Sequence, residues 1–306
     1  MGQNLDWERD GPDWTHHESS RFILAGGLRW HVQTFEKPAS ASNSVPQPWV
    51  LLIHGTGSST HSWRDVIPLL AADFSVIAVD LPGHGFTGMP QSGSQAAHLS
   101  MIGMARSLGA LLKNMGLKPE LVVGHSAGAA IGVRMCLAGW VAPRLMVSLN
   151  GALLPLGGLA GQFFSPAAKL MSVIPAVPRL FSWHASDPAV VKKLIGSTGS
   201  KIDARGMALY SRLVRSPAHA AGALGMMAHW DLETLAHDLP GLTVPLLLVV
   251  GENDRTVPPQ HARRVAQVLS STAIRPIVSL PDLGHLAHEE DPPLVAKLLR
   301  DSYQSA

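Results

Sequence analysis

Two hydrophobic patterns alternate along this chain. Short, largely apolar runs occur at Trp49–Ile53, Phe74–Val79, Leu121–Val123, Leu145–Leu149 and Leu246–Val250. Runs of that length, rich in Val, Leu and Ile, predict strands buried on both faces. Between them apolar residues recur at helical spacing. Trp63, Val66, Ile67 and Leu70 follow the first run. Met101, Ala105, Leu108, Leu112 and Met115 follow the second, with Gly116 placed to end the helix. Ala262, Val265, Ala266 and Leu269 follow the fifth, and then come a strand over Ile274–Leu280 and a C-terminal helix opened by Asp291-Pro292. Strand–helix alternation predicts an α/β fold, a mostly parallel sheet with helices on both faces. Ahead of it, Arg21–Ala25 and Leu28–Phe35 flank Gly26-Gly27 as a hairpin, and residues 37–48 read as a Pro/Ser-rich loop. Trp7 and Trp14, in a polar arm over residues 1–20, read as tethers that pack back on the body.

The rhythm breaks between residues 153 and 237, where helix starts replace strands. Asp187-Pro188 and Ser216-Pro217 each set an N-cap before a proline, and Leu209, Tyr210 and Leu213 share a helical face. The chain therefore divides into a first core part (1–152), an inserted helical cap (153–237) and a second core part (238–306). The insertion holds Met171, Met207, Met226 and Met227 with Phe163, Phe164, Phe181, Trp183 and Trp230. Most of these are expected to form its own core. A minority, assigned to Trp230, Met226, Met227 and Phe164, is expected to line a pocket for a large apolar ligand.

Composition narrows the function. Of 306 residues 46% are hydrophobic and 15% charged, enough to bury a sizeable core and unlike a disordered chain. Net charge is +2 with no Lys/Arg run, so nothing points to nucleic acid. The single cysteine, Cys136, suits a reducing compartment and reads as a small buried hydrophobe. The acidic N-terminus does not look like a signal peptide, and no apolar run reaches the length of a membrane span. The expectation is a cytoplasmic protein, with weak membrane contact through an apolar surface left open.

Candidate chemistry gathers where the predicted strands end. Gly124-His125-Ser126-Ala127-Gly128 joins a strand to a helix through small residues, the setting of a serine held out on a tight turn. A serine hydroxyl needs a base, a group that orients the base, and donors for the developing oxyanion. His285, after the last strand, is the base candidate and Asp254, after the preceding strand, the acid candidate. The backbone N–H groups of Thr56, in His54-Gly55-Thr56-Gly57, and of Ala127 are the oxyanion candidates. Rival assignments exist. Asp254 could cap the helix beyond Pro258, and Asp80 or Asp282 could serve as the acid. Asn150 holds a strand end where an acid might sit but is no carboxylate. His54 and His84 read as structural. His285 and His288 lack the spacing or cysteines of a metal site, so neither metal nor cofactor is expected.

His54-Gly55-Thr56-Gly57, Asp80–Gly85, Gly124–Gly128, Gly251–Pro258 and Gly284–Glu289 resemble the α/β-hydrolase superfamily. That resemblance implies an α/β-hydrolase fold and a Ser126, Asp254, His285 triad in the usual chain order. More narrowly, Gly26–Gln33, Thr60–Arg64, Leu149–Pro155 and Gly225–Leu232 resemble the BchO-type hydrolase-like proteins, magnesium-chelatase accessory proteins. The narrower resemblance implies a place in bacteriochlorophyll biosynthesis near magnesium insertion, with a tetrapyrrole as ligand and a possible contact with the chelatase. It implies no settled reaction. Two readings follow: a serine hydrolase of an ester or related acyl bond, and a non-catalytic porphyrin-binding or chelatase accessory protein. Hydrolysis of a carbon–carbon bond is a third, related chemistry.

Overall fold

Alternating side chains of the apolar runs fall into two separate core clusters. Leu51, Ile53, Ile77, Val79 and Val122 belong to one, and Val50, Leu52, Val76, Ala78 and Val123 to the other. Each run is thus a strand with oil on both faces. Each such Val, Leu or Ile, fully buried, is worth about 1.5–3 kcal/mol of transfer free energy. The computed structural model describes residues 3–36, 47–90, 95–155, 174, 176–185, 187–269 and 273–306. Among them eight strands form one sheet: β1 (Ser20–Ala25), β2 (Leu28–Phe35), β3 (Trp49–Ile53), β4 (Ser75–Val79), β5 (Leu121–His125), β6 (Leu145–Leu149), β7 (Leu246–Gly251) and β8 (Val278–Leu280). The spatial order is β1-β2-β4-β3-β5-β6-β7-β8. β2 is antiparallel to β1 and β4, and the remaining pairs are parallel, so the C-terminal ends of β3 to β8 share one edge.

Helix α1 (Met101–Met115) starts at a Ser100 cap and stops at Gly116, whose φ of 69° is the left-handed end the sequence predicts. Helix α2 (Ala127–Leu137) follows β5 directly. Two expectations need correction. The helix over Trp63–Leu70 is split into a 3₁₀ turn, Thr60–Trp63, and a single α-turn, Ile67–Leu70, although Trp63, Val66, Ile67 and Leu70 are all fully buried as their spacing requires. Pro68 has no N–H for the carbonyl of Arg64, four residues back. His16 Nε2–H donates to that carbonyl instead, at 2.7 Å. The strand over Ile274–Leu280 shortens to Val278–Leu280, preceded by an isolated bridge at Ile274. Pro276 accounts for the gap, because it cannot donate to the ladder.

Between β6 and β7 the described residues form five helices: α3 (Ala176–His184), α4 (Pro188–Ser197), α5 (Ala204–Val214), α6 (Pro217–Ala228) and α7 (Leu232–Asp238). Asp187 and Ser216 cap α4 and α6 as expected, each before a proline at the first helical position. Asp203 and Asp231 cap α5 and α7 by side-chain hydrogen bonds without a proline. Phe163, Phe164 and Met171 lie outside the described residues. Helix α8 (Gln260–Val268) and helix α9 (Pro292–Gln304, capped by Asp291) complete the fold. Trp14, Phe86, Val191, Ile195, Leu209, Leu213 and Leu286 form a third cluster, which joins the N-terminal arm to the inserted helices. Trp7 also packs, edge-on to Phe22 and Phe86, so both tryptophans are tethers. Cys136 packs against the core, and burial pushes its thiol up to about 12. Among the described residues no helix is long and apolar enough to cross a membrane.

Candidate active site

The last residue of β5 and the first of α2 leave Ser126 alone in the turn, at φ 53° and ψ −118°. A non-glycine residue there is strained, and the neighbours hold it in place. Ser126 N–H donates to the Leu149 carbonyl at 3.0 Å. A Cβ on Gly124 would lie 2.4 Å from the backbone N of Ala129, and one on Gly128 would lie 2.3 Å from the Ile53 carbonyl. Glycines are therefore what let strand, helix and the neighbouring strand meet at this point. Ser126 is half-buried, and among the described residues its hydroxyl makes no hydrogen bond. Ligand-free sites often leave the nucleophile in this state.

His285 and Asp254 come together as the sequence predicts. His285 Nδ1–H donates to Asp254 Oδ2 at 2.7 Å, and both residues are buried. Asp254 Oδ1 accepts from the N–H groups of Thr256 (2.7 Å) and Val257 (2.9 Å), and Oδ2 also accepts from Asn150 Nδ2 (2.6 Å). Every other partner of this carboxylate is a donor. That fixes the ring proton on Nδ1 and leaves Nε2 with a free lone pair. The rival assignments separate cleanly. Helix α8 begins after Pro259 with no side-chain cap, so Asp254 is not its N-cap. Asp282 is exposed, in a left-handed turn. Asp80 is fully buried elsewhere, accepting from His31 Nδ1 (2.7 Å), Thr60 N–H (2.7 Å) and Phe86 N–H (2.9 Å). It is held well below the usual carboxylate range despite its burial, chiefly by His31.

Asn150 is a buried partner of Asp254. Asn150→Asp would set two carboxylates against each other at this distance, and their repulsion raises the pair's folded-state pKa. A raised pKa means stability lost as pH rises. We expect the variant to lose about 1–3 kcal/mol at pH 8 and less at pH 5, read from urea midpoints.

The loop after β3 lies against Ser126. A Cβ on Gly55 would come within 3.0 Å of Ser126 Cβ. The N–H groups of Thr56 and Ala127 make no hydrogen bond among the described residues. His54 is structural: its Nδ1–H donates to Gly55 O (2.7 Å) and its Nε2 accepts from Leu81 N–H (2.9 Å). His84 is structural too, donating to Pro82 O (3.1 Å). Burial lowers the pKa of both rings. The inserted helices grip the same loop. Thr56 Oγ1–H donates to Met226 Sδ (3.4 Å), and His219 accepts from Gly85 N–H (3.0 Å) while donating to Gly57 O (3.1 Å). Met226 and Trp230 are packed into the main core cluster beneath, whereas Met227 is half-buried.

For several residues around the site, nothing in the sequence signals the contacts they make. His125 Nε2–H donates to the His285 carbonyl (2.8 Å), tying the Ser126 turn to the loop that carries His285. Its ring lies between those of His285 and His288, with centroids 4.7 and 4.5 Å away. His288 has no hydrogen-bond partner on either nitrogen among the described residues, and burial lowers its pKa to about 3. Tyr210 OH donates to Glu289 Oε1 (2.8 Å) and meets Ser58 Oγ (3.2 Å), and Arg64 Nη1 donates to Glu289 Oε2 (2.6 Å). Lone His, Tyr and Glu residues have no spacing to read. Their contacts arise only where segments distant in sequence meet at the sheet edge. Among the described residues no group of three or more His, Cys, Asp or Glu side chains is placed to hold a metal ion.

A model of the alpha/beta hydrolase family matches residues 50–298. The chain is 37% identical over 277 residues to a protein of Rhodobacter capsulatus named magnesium-chelatase 30 kDa subunit, covering 90% of this chain and 92% of that one. It is 27% identical to the uncharacterized hydrolase YugF of Bacillus subtilis, over 92% and 96% of the two chains. Among solved structures it superimposes on an alpha/beta hydrolase fold protein from Burkholderia ambifaria with a TM-score of 0.72 at 21% identity, covering 98% and 100%. An enol-lactonase from Burkholderia xenovorans gives a TM-score of 0.71 at 18% identity, covering 94% and 100%. Sheet order, nucleophile turn and family match agree: the chain belongs to the alpha/beta hydrolase family.

Proposed function

We propose that this protein is a serine hydrolase of an ester or related acyl bond. The observation that carries the reading is the His285–Asp254 hydrogen bond of 2.7 Å, on the same sheet edge as a strained serine at the end of β5. Ser126 Oγ adds to the substrate carbonyl as its proton passes to His285 Nε2. Asp254 keeps the other ring nitrogen protonated and stabilises the imidazolium. The N–H groups of Thr56 and Ala127 receive the oxyanion. His285 returns the proton to the leaving alcohol, and water, deprotonated by the same ring, then frees the acid and restores Ser126. No metal or cofactor takes part.

In this reading residues 153–237 are a cap over a core made of 1–152 and 238–306. Met227, half-buried, would face the substrate, with the buried Met226 and Trp230 packed behind it. Their apolar, polarisable character suits a large flat acyl compound, a tetrapyrrole included. A fluorophosphonate probe should label the wild-type protein and leave Ser126→Ala and His285→Ala unlabelled. Absence of labelling in folded wild type overturns the proposal.

A second reading draws on the magnesium-chelatase name of the 37% identical relative. In it the chain is an accessory protein that holds a porphyrin or contacts the chelatase, in the cytoplasm, without catalysis. Complementation of a pigment-deficient deletion strain separates the two. Full rescue by Ser126→Ala supports the accessory role, and failure supports the hydrolase.

A further inference from the structure

Helix α3 turns two large apolar side chains outward. Pro178, Ser182 and Ala185 face the protein, whereas Leu180 and Trp183, three residues apart and on one face, are each 63% exposed. Ile174 just before the helix is 46% exposed, and Leu194 on the next helix 45%. Beside them Ala185, Val190, Leu194 and Val214 line an almost wholly apolar cleft of about 250 Å³ with Lys193 at its rim. Singly exposed apolar residues are ordinary, but a Trp/Leu pair on one face beside an apolar cleft is not.

Charge decides what this face fits. Arg179, Lys192 and Lys193 are exposed and make no ion pair among the described residues. Between residues 174 and 200 the sole carboxylate is Asp187, and it is occupied in capping α4 through Ala189 N–H at 2.8 Å. Cations around an exposed Trp and Leu match an anionic lipid surface, where the apolar side chains enter the acyl boundary and the cations stay among the headgroups. A second copy of the chain would bring the same cations face to face, which disfavours a symmetric dimer here. We propose that α3 and the cleft beside it form a docking surface for an anionic bilayer, on which the protein lies without spanning it. α3 packs against α6, and α6 carries Met226 onto Thr56, so the docked helix and the loop after β3 contact the same helix. The proposal does not depend on the hydrolase reading.

The test is flotation of the full chain with vesicles of phosphatidylcholine alone or mixed with phosphatidylglycerol. The protein should float with the anionic vesicles only, and less as salt rises. Leu180→Ser/Trp183→Ser should cut partition about tenfold or more. Lys192→Glu/Lys193→Glu should cut it about fivefold per cation removed. All four side chains are exposed, so unchanged thermal midpoints will show intact folds. Three outcomes overturn the proposal: no flotation of wild type on anionic vesicles at low salt, flotation unchanged in both variants, or a patch-dependent dimer in place of vesicle binding.

Discussion

Ser126→Ala is expected to lower hydrolysis of an activated aryl ester by about 10⁴-fold or more while leaving the thermal midpoint within a few degrees of wild type. Among the described residues the hydroxyl makes no hydrogen bond, so its removal breaks none there. The loss would come entirely from the missing covalent step. His285→Ala should cost a similar factor, and the double variant little more, because base and nucleophile act as one unit. Asp254→Asn tests the orienting role separately. An amide in place of Oδ2 can offer its N–H to the ring, which favours the tautomer with its proton on the wrong nitrogen. A loss of about 10⁴-fold is expected there as well. Additive losses in the double variant, or an Asp254→Asn enzyme of near-normal rate, would contradict the assignment.

The largest expected loss of stability is at Arg64. Its guanidinium is almost fully buried and spans three carboxylates: Glu289 Oε2 at 2.6 Å, Asp203 Oδ1 at 2.9 Å and Asp65 Oδ2 at 3.0 Å. Asp65 and Asp203 are about half exposed and can turn to water, but Glu289 cannot. Burial raises the Glu289 carboxyl to about 7 and outweighs the pull of Arg64, although the same pair raises Arg64. Arg64→Met would leave that carboxylate with only the Tyr210 hydroxyl. We expect a cost of about 3–5 kcal/mol at pH 8, as for a buried ion pair with one partner removed. The sign of the pH dependence follows from the raised value. Folded Glu289 binds its proton more tightly than the unfolded chain does, at about 4.5, so stability from that group is present below pH 4.5 and lost as pH rises through about 7. Removing Arg64 raises the value further. The penalty should therefore be small at pH 5 and largest above pH 7 in urea titrations.

Much of this architecture was legible in the sequence because its carriers are local. Continuous Val/Leu runs, Asp-Pro and Ser-Pro starts, and Gly116 each specify geometry within a few residues. The His285–Asp254 contact was legible for a different reason. A strand-end position in a parallel sheet fixes which loops share an edge, so Ser126, Asp254 and His285 could be placed without side-chain detail. Prolines decided the two misreadings. Pro68 and Pro276 sit inside good apolar patterns, and in each case the missing N–H prevailed over the pattern. Asn150 was recognised as sitting at an acid's strand end, but its donation to Asp254 depends on a side-chain direction that no pattern encodes. Trp183 looked like core or pocket by composition and is instead largely exposed.

The buried histidines have a consequence for the range of conditions in which the chain can stay folded. His54, His61, His84, His125, His219, His261 and His288 are all buried, and burial lowers the pKa of every one, to about 4 for His219 and His261. An unfolded chain would protonate these rings near pH 6.5, so below that value unfolding absorbs protons and mild acid drives it. Several rings act through this linkage at once, and the acid limit of the fold should be abrupt and lie above the carboxylate range. Glu289 opposes them between about 4.5 and 7, but as one group against several. The imidazoles that brace the loops around Ser126 thus tie the architecture of the site to near-neutral surroundings.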